Sequence, residues 1–137
     1  MFSHVTVGCA DLGRTAAFYD AVLLPLGLAR RATKADGGPA MECWASPDGR
    51  PPEFFASLPF DGRPARSGNG TMVAFAAASP AVVDAAYAAG LVAGGTDEGA
   101  PGPRPHYGAG YYGAYLRDPD GNKLHVAHRG DVSEGAG

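Results

Sequence analysis

The sequence predicts an α+β protein: two βαβββ modules whose mixed sheets form a cup, with one helix on the outer face of each. Three observations carry this reading. Short stretches alternate polar and apolar residues, as half-buried strands require. Two apolar stripes at helical spacing interrupt them, near residues 12–23 and 80–91. Displacing the chain by about 68 residues lays the first half on the second, and the helix caps then coincide.

His4-Val5-Thr6-Val7 alternates and makes the first strand. Asp11 is placed to cap a helix, along which Leu12, Ala16, Tyr19 and Leu23 form the buried stripe and which ends near Pro25 or Gly27. Residues 28–31 begin a second strand. Residues 40–46 make a third, with Met41, Cys43 and Ala45 on one face and Glu42 and Trp44 on the other. Pro47-Asp48-Gly49 is a turn, and residues 53–58 return. Residues 60–69, rich in Gly, Pro and Arg, read as a linker. Residues 71–76 restart the pattern. Ser79 then caps a helix whose first position is Pro80, a favoured pairing, with Gly90 as its C-cap. Residues 97–110 read as a long Gly- and Pro-rich loop containing Arg104, His106 and Tyr107. Residues 111–117 and 123–128 are the last strands, joined by the turn Asp118-Pro119-Asp120-Gly121-Asn122. One domain over residues 1–129 is expected, with residues 130–137 a frayed C-terminal tail.

In the repeat, His4 falls on Met72, Asp11 on Ser79, Tyr19 on Tyr87 and Leu23 on Leu91. A further shift of about four residues superposes the two Pro-Asp-Gly turns and pairs Glu53 with His125. Strand alternation sorts the faces. Val5, Val7, Val73, Phe75, Leu124 and Val126 should face the helices. His4, Glu53, Met72 and His125 should then converge on the cup, lined also by Tyr111, Tyr115 and Arg117.

A net charge of −3 offers no cluster of Lys and Arg for phosphate, so nucleic acid is not an expected partner. No apolar run approaches the roughly 18–20 residues of a membrane span. The first residues lack the basic start and apolar core of a signal peptide, so the cytoplasm is the expected address. Cys9 and Cys43 form neither a disulfide framework nor a zinc-ligand spacing, and are expected to be small buried thiols.

Three stretches carry a resemblance: Ser3-His4-Val5-Thr6-Val7 at the start, Gly70-Thr71-Met72-Val73-Ala74-Phe75 in the middle, and Asp118-Pro119-Asp120-Gly121-Asn122-Lys123-Leu124-His125 at the end. Together, in this order and spacing, they resemble the vicinal oxygen chelate superfamily of glyoxalases, bleomycin-resistance proteins and extradiol dioxygenases, over residues 1–129. The resemblance implies paired βαβββ modules, a small-molecule ligand or substrate, a homodimer whose cups are completed between chains or within one, and in the enzymes one divalent ion (Zn, Fe, Mn or Ni). That ion stabilises developing charge as a Lewis acid.

The chain departs from the family pattern at two of four positions. Met72 stands where the family has a fifth-strand His, and a thioether suits soft ions rather than these metals. His125 stands where the family has a final Glu. A metal site therefore rests on His4, Glu53 and His125, and is degenerate. Three functions follow as alternatives: a metal-dependent lyase, isomerase or dioxygenase using those three residues; a metal-free protein binding a flat compound against Trp44, Phe54, Met72, Tyr107, Tyr111 and Tyr115; or an enzyme using His4 or His125 as a general base. His106 is available as part of a lid, and Arg117 or Lys123 to an anionic ligand.

Overall fold

The structure, a computed structural model, describes residues 1–130. It holds two four-stranded mixed sheets, each with one helix. In the first module β1 (His4–Gly8) leads to α1 (Leu12–Leu23), followed by β2 (Ala29–Arg31), β3 (Met41–Ala45) and β4 (Glu53–Ser57). In the second, β5 (Met72–Ala76) leads to α2 (Pro80–Val92), β6 (Thr96–Pro103), β7 (Tyr112–Arg117) and β8 (Lys123–His128). The sheet orders are β1-β4-β3-β2 and β5-β8-β7-β6, with one parallel pair in each, so the predicted duplication is present in full.

The caps lie where the sequence places them. The Asp11 side chain accepts from the Arg14 amide at 3.1 Å and Ser79 from the Val82 amide at 3.3 Å, each satisfying a first-turn donor with no partner inside the helix. Gly27, at φ 84°, closes the short 3-10 turn after α1.

Two expectations are corrected. Residues 97–110 are not one loop, because residues 96–103 form β6, antiparallel to β7. The ladder slips twice, between Asp97 and Gly99 and between Gly99 and Gly102, so this Gly- and Pro-rich strand has no alternating pattern to read. Gly90 is not a C-cap either; α2 runs on to Val92 and Gly94 takes the positive φ. A Cβ at Gly90 would stand 2.9 Å from Leu116 and 3.0 Å from Val22, so this glycine allows α2 to approach α1 and the sheet.

One apolar core runs through both modules. Phe18, Tyr19, Val22, Trp44 and Phe54 pack with Val83, Ala86, Leu116, Leu124 and Val126, and Phe54 meets Phe75 edge-on at 5.1 Å. The turn at 118–122 also crosses the boundary. Tyr19 donates its hydroxyl to buried Asp118 at 2.7 Å, Thr15 donates to Asp120 at 2.7 Å, and the Asn122 amide donates to the Gly8 carbonyl at 2.9 Å. Burial first, and the Asp118 charge second, push the Tyr19 phenol well above its usual range. The sequence marks 118–122 only as a turn; the acceptors it presents to the other module are a property of the assembled fold. Gly130 is buried against Ala109 and Gly110 rather than frayed, and the rest of the expected tail lies outside the described residues.

Candidate ligand-binding cup

Alternation along β5, β7 and β8 points Met72, Ala74, Tyr115, Lys123, His125 and Ala127 away from α2, and the segment before β7 adds Tyr111. A cavity of about 520 Å³ opens on this face, lined by Met72, Ala74, Tyr107, Tyr111, Tyr115, His125, Ala127 and Arg129 among others. Five sequence-predicted residues are thus brought together: Met72, Tyr107, Tyr111, Tyr115 and His125.

His125 is the best-held side chain of the cup. It is only 2% exposed. Its Nδ1 lies 2.8 Å from the Ala114 carbonyl oxygen, which can only accept, so Nδ1 carries a proton. Its Nε2 lies 2.8 Å from the Tyr111 hydroxyl, which donates to the neutral ring. Burial chiefly, and the charges of Arg104 and Lys123 further, lower the His125 pKa, favouring that neutral form. The ring stacks on Tyr115 at 4.1 Å and an interplanar angle of 13°, and is equally parallel to Tyr111 at 5.9 Å. Gly113 makes this possible: a Cβ there would stand 2.5 Å from His125 Cε1. The sequence shows a glycine in a strand but not the ring that fills its place. Tyr107 continues the aromatic surface, 5.2 Å from Tyr111, and His106 packs on it at 4.1 Å.

The remaining site predictions lie elsewhere. Trp44 and Phe54 do not line the cup but are core residues, 0% and 4% exposed. Their positions in β3 and β4 face α1, where both meet Tyr19 and the Trp44 indole donates to Asp20 at 2.9 Å. Bulk and aromaticity suggested a ligand platform; the alternation of those strands assigns the two rings to the interior. Arg117 is paired with Glu98 and donates to the Gly121 carbonyl, so it is committed within its own module.

His4 and Glu53 lie on the corresponding face of the first module and outside this cavity. They are ladder partners on β1 and β4. His4 is hydrogen-bonded to Ser3 at 3.0 Å and packs edge-on against Phe55 at 5.5 Å. The Cys43 thiol donates to Glu53 at 3.3 Å, and burial, then this carboxylate, push the thiol pKa up to about 12. The parallel ladders also correct the predicted symmetry. Thr6 pairs with Phe55 and Ala74 with His125, whereas His4 pairs with Glu53 and Met72 with Lys123. The counterpart of His125 is therefore Phe55, and that of Glu53 is Lys123. The four-residue offset taken from the Pro-Asp-Gly turns belongs to the loops, not to these strands.

This donor set fits a divalent ion poorly. Two of the four symmetric positions, Phe55 and Met72, carry no hard donor, and Lys123 stands at the step where the first module has Glu53. Among the described residues no three His, Cys, Asp or Glu side chains stand together in a metal-binding group.

Paired βαβββ modules with one helix each and an open aromatic cup define a glyoxalase-type fold. The chain belongs to the Glyoxalase/Bleomycin resistance protein/Dioxygenase superfamily, whose family model matches residues 1–126. Its structure is similar to a glyoxalase/bleomycin resistance protein from Albidiferax ferrireducens T118, 45% identical, covering 94% of this chain and 98% of that one at a TM-score of 0.80. A lactoylglutathione lyase from Agrobacterium tumefaciens shares the fold at 21% identity and a TM-score of 0.62, covering 93% of this chain and 92% of that one. The E144Q mutant of glyoxalase I from Zea mays shares it at 23% and 0.66, over 96% of this chain and 47% of that one. No curated protein matches the chain. Among the described residues no helix is long and apolar enough to cross a membrane.

Proposed function

We propose that this protein binds a flat small molecule in its cup without a metal ion. One observation carries the reading: both nitrogens of His125 are engaged, Nδ1 by Ala114 and Nε2 by Tyr111, within a stack of tyrosines. A ring arranged in this way holds in place the tyrosines that line the cup, while a metal would first have to displace the Tyr111 hydroxyl. We read the protein as a cytoplasmic homodimer. The concave faces of both modules are open in one chain, with His4 and Thr6 exposed in the first and Met72 42% and Tyr107 57% exposed in the second, and a second copy would close them.

The competing reading is a metal-dependent lyase, isomerase or dioxygenase using His4, Glu53 and His125. The observation in its favour is that His4 and Glu53 are ladder partners; it requires His125 to come from the partner subunit. Metal analysis after reconstitution, beside a thermal-shift screen with chelator and aromatic compounds, separates the two. Stabilisation by an aromatic compound that chelator leaves unchanged supports the metal-free reading. One bound metal per chain, lost in both His4→Ala and His125→Ala, overturns it.

A further inference from the structure

Three cations stand at or beside the aromatic cup, and among the described residues no Asp or Glu lines its cavity. Arg129 lines the cavity. The Arg104 guanidinium lies 5.9 Å from the centroid of the Tyr115 ring, and the Lys123 ammonium 5.1 Å from it. These groups come from separate parts of the module: the residue after β6, the start of β8 and the residue after β8. No single amphipathic pattern in the sequence would bring them together.

Arg104 is built into its position. It donates to the Ala100 carbonyl at 2.9 Å and to the Pro103 carbonyl at 3.2 Å, which fix the guanidinium without cancelling its charge. Gly102 leaves it room, since a Cβ there would stand 3.1 Å from Nη1. Among the described residues no Asp or Glu lines the cavity. The acids of β6 are engaged otherwise: Glu98 pairs with Arg117, and Asp97 accepts from the Tyr87 hydroxyl and the Gly99 amide. The two nearby cations also disfavour a charged His125, after burial itself. The cup therefore presents neutral rings with a positive rim. A flat ring in the cavity gains dispersion on the exposed Tyr107 and the half-buried Tyr111 and Tyr115, which His125 supports from within. A negative group at its edge meets a guanidinium and an ammonium at a half-buried surface, where charges interact more strongly than in bulk water.

We propose that the cup's ligand is a planar aromatic carboxylate, its ring among Tyr107, Tyr111 and Tyr115 and its carboxylate on the side of Tyr115 that Arg104 and Lys123 flank. This rests on the reading of the cup as a small-molecule site.

The experiment is isothermal titration of the full chain with three matched probes: 2-naphthoate, neutral 2-naphthamide and cationic 2-naphthylmethylammonium. The expected order is naphthoate tightest, by about tenfold or more over the amide, with the amine weakest. Naphthoate affinity should fall with added salt while amide affinity holds. Lys123→Gln and Arg104→Gln should each weaken naphthoate by about threefold to tenfold and leave the amide within about twofold. Arg104→Gln also removes two bonds to β6, so Lys123→Gln is the cleaner variant, and melting curves accompany both. Equal affinities for acid and amide, or naphthoate binding indifferent to both substitutions, would overturn the charge assignment and leave the cup standing as a neutral aromatic site. Failure of all three probes to bind overturns the cup reading, and this inference with it.

Discussion

Gly113→Ala tests whether the His125 ring is held by the space below it. The added methyl would lie 2.5 Å from His125 Cε1, 3.2 Å from Nε2 and 3.3 Å from the Val126 carbonyl oxygen. No carbon pair tolerates the first distance, so the ring must leave. Its departure breaks the bonds to Ala114 and Tyr111, each with a net value of about 0.5–1.5 kcal/mol. It also ends the stack on Tyr115, a further contribution of about 0.5–1.5 kcal/mol. Alanine recovers about 0.5–1 kcal/mol over glycine within a strand. The balance is a loss of about 1–3 kcal/mol, or roughly 4–12 °C in Tm for a chain of this size. Thermal melts of the wild type, Gly113→Ala, His125→Ala and the double variant form a cycle. Once the ring is gone the methyl has nothing to strike, so the double variant should be no less stable than His125→Ala alone. The coupling should reach about 1–3 kcal/mol. Additive losses, or a Gly113→Ala protein within about 0.5 kcal/mol of wild type, would refute the reasoning.

Other consequences are directly measurable. Tyr19→Phe removes the hydroxyl that links α1 to buried Asp118 and should cost about 1–3 kcal/mol in denaturant melts; a loss below about 0.5 kcal/mol would show that the tie between modules is weak. Burial holds the His125 pKa below its ordinary 6.5, so the unfolded chain takes up that proton first as pH falls. The stability that depends on neutral His125 is complete above about 6.5 and is lost as pH drops from there toward the folded pKa. Tm measured from about pH 7.5 to pH 5 should therefore fall less steeply in His125→Gln, and an unchanged slope contradicts the assignment. Cys43, with its pKa pushed up to about 12 by burial and Glu53, should resist maleimide at neutral pH in the native protein and label fully in denaturant; rapid native labelling would count against the buried Cys43–Glu53 bond.

The duplication was legible because its signals are local. Two caps, two apolar stripes and alternating strands each follow from short-range rules that hold in either module. β6 was not legible, since Gly99, Pro101 and Gly102 erase the alternation that its bulges would have broken in any case. The faces of β1, β5 and β8 could be read from sequence, and so could the convergence of Met72, Tyr111, Tyr115 and His125. Trp44 shows the limit of residue character as a guide: its strand's own alternation already placed it opposite Met41, Cys43 and Ala45, and that pattern outweighs its aptitude for stacking. Gly113, Arg104 and the Tyr19–Asp118 bond depend on which distant residue fills a space or supplies a partner, which no short-range pattern encodes.

The parallel ladders change what the duplication says about chemistry. A symmetric metal site would need equivalent donors in both modules at equivalent steps of β1–β4 and β5–β8. The steps are equivalent and the donors are not: His4 and Glu53 answer to Met72 and Lys123, and Phe55 answers to His125. Restoring a donor at position 72 alone would still leave Phe55 as the counterpart of His125, and a cation, Lys123, at the step where the first module has Glu53. Lys123 thus weighs against a metal and for an anion by the same charge. The second module has kept the geometry of a cup and filled it with rings and cations, while the first keeps His4 and Glu53 on a face with Phe55 and Cys43. Two faces so different in character, brought together in a homodimer, would offer a planar ligand an aromatic, cationic wall on one side and a more polar one on the other. That asymmetry between modules would then set which way round the ligand lies.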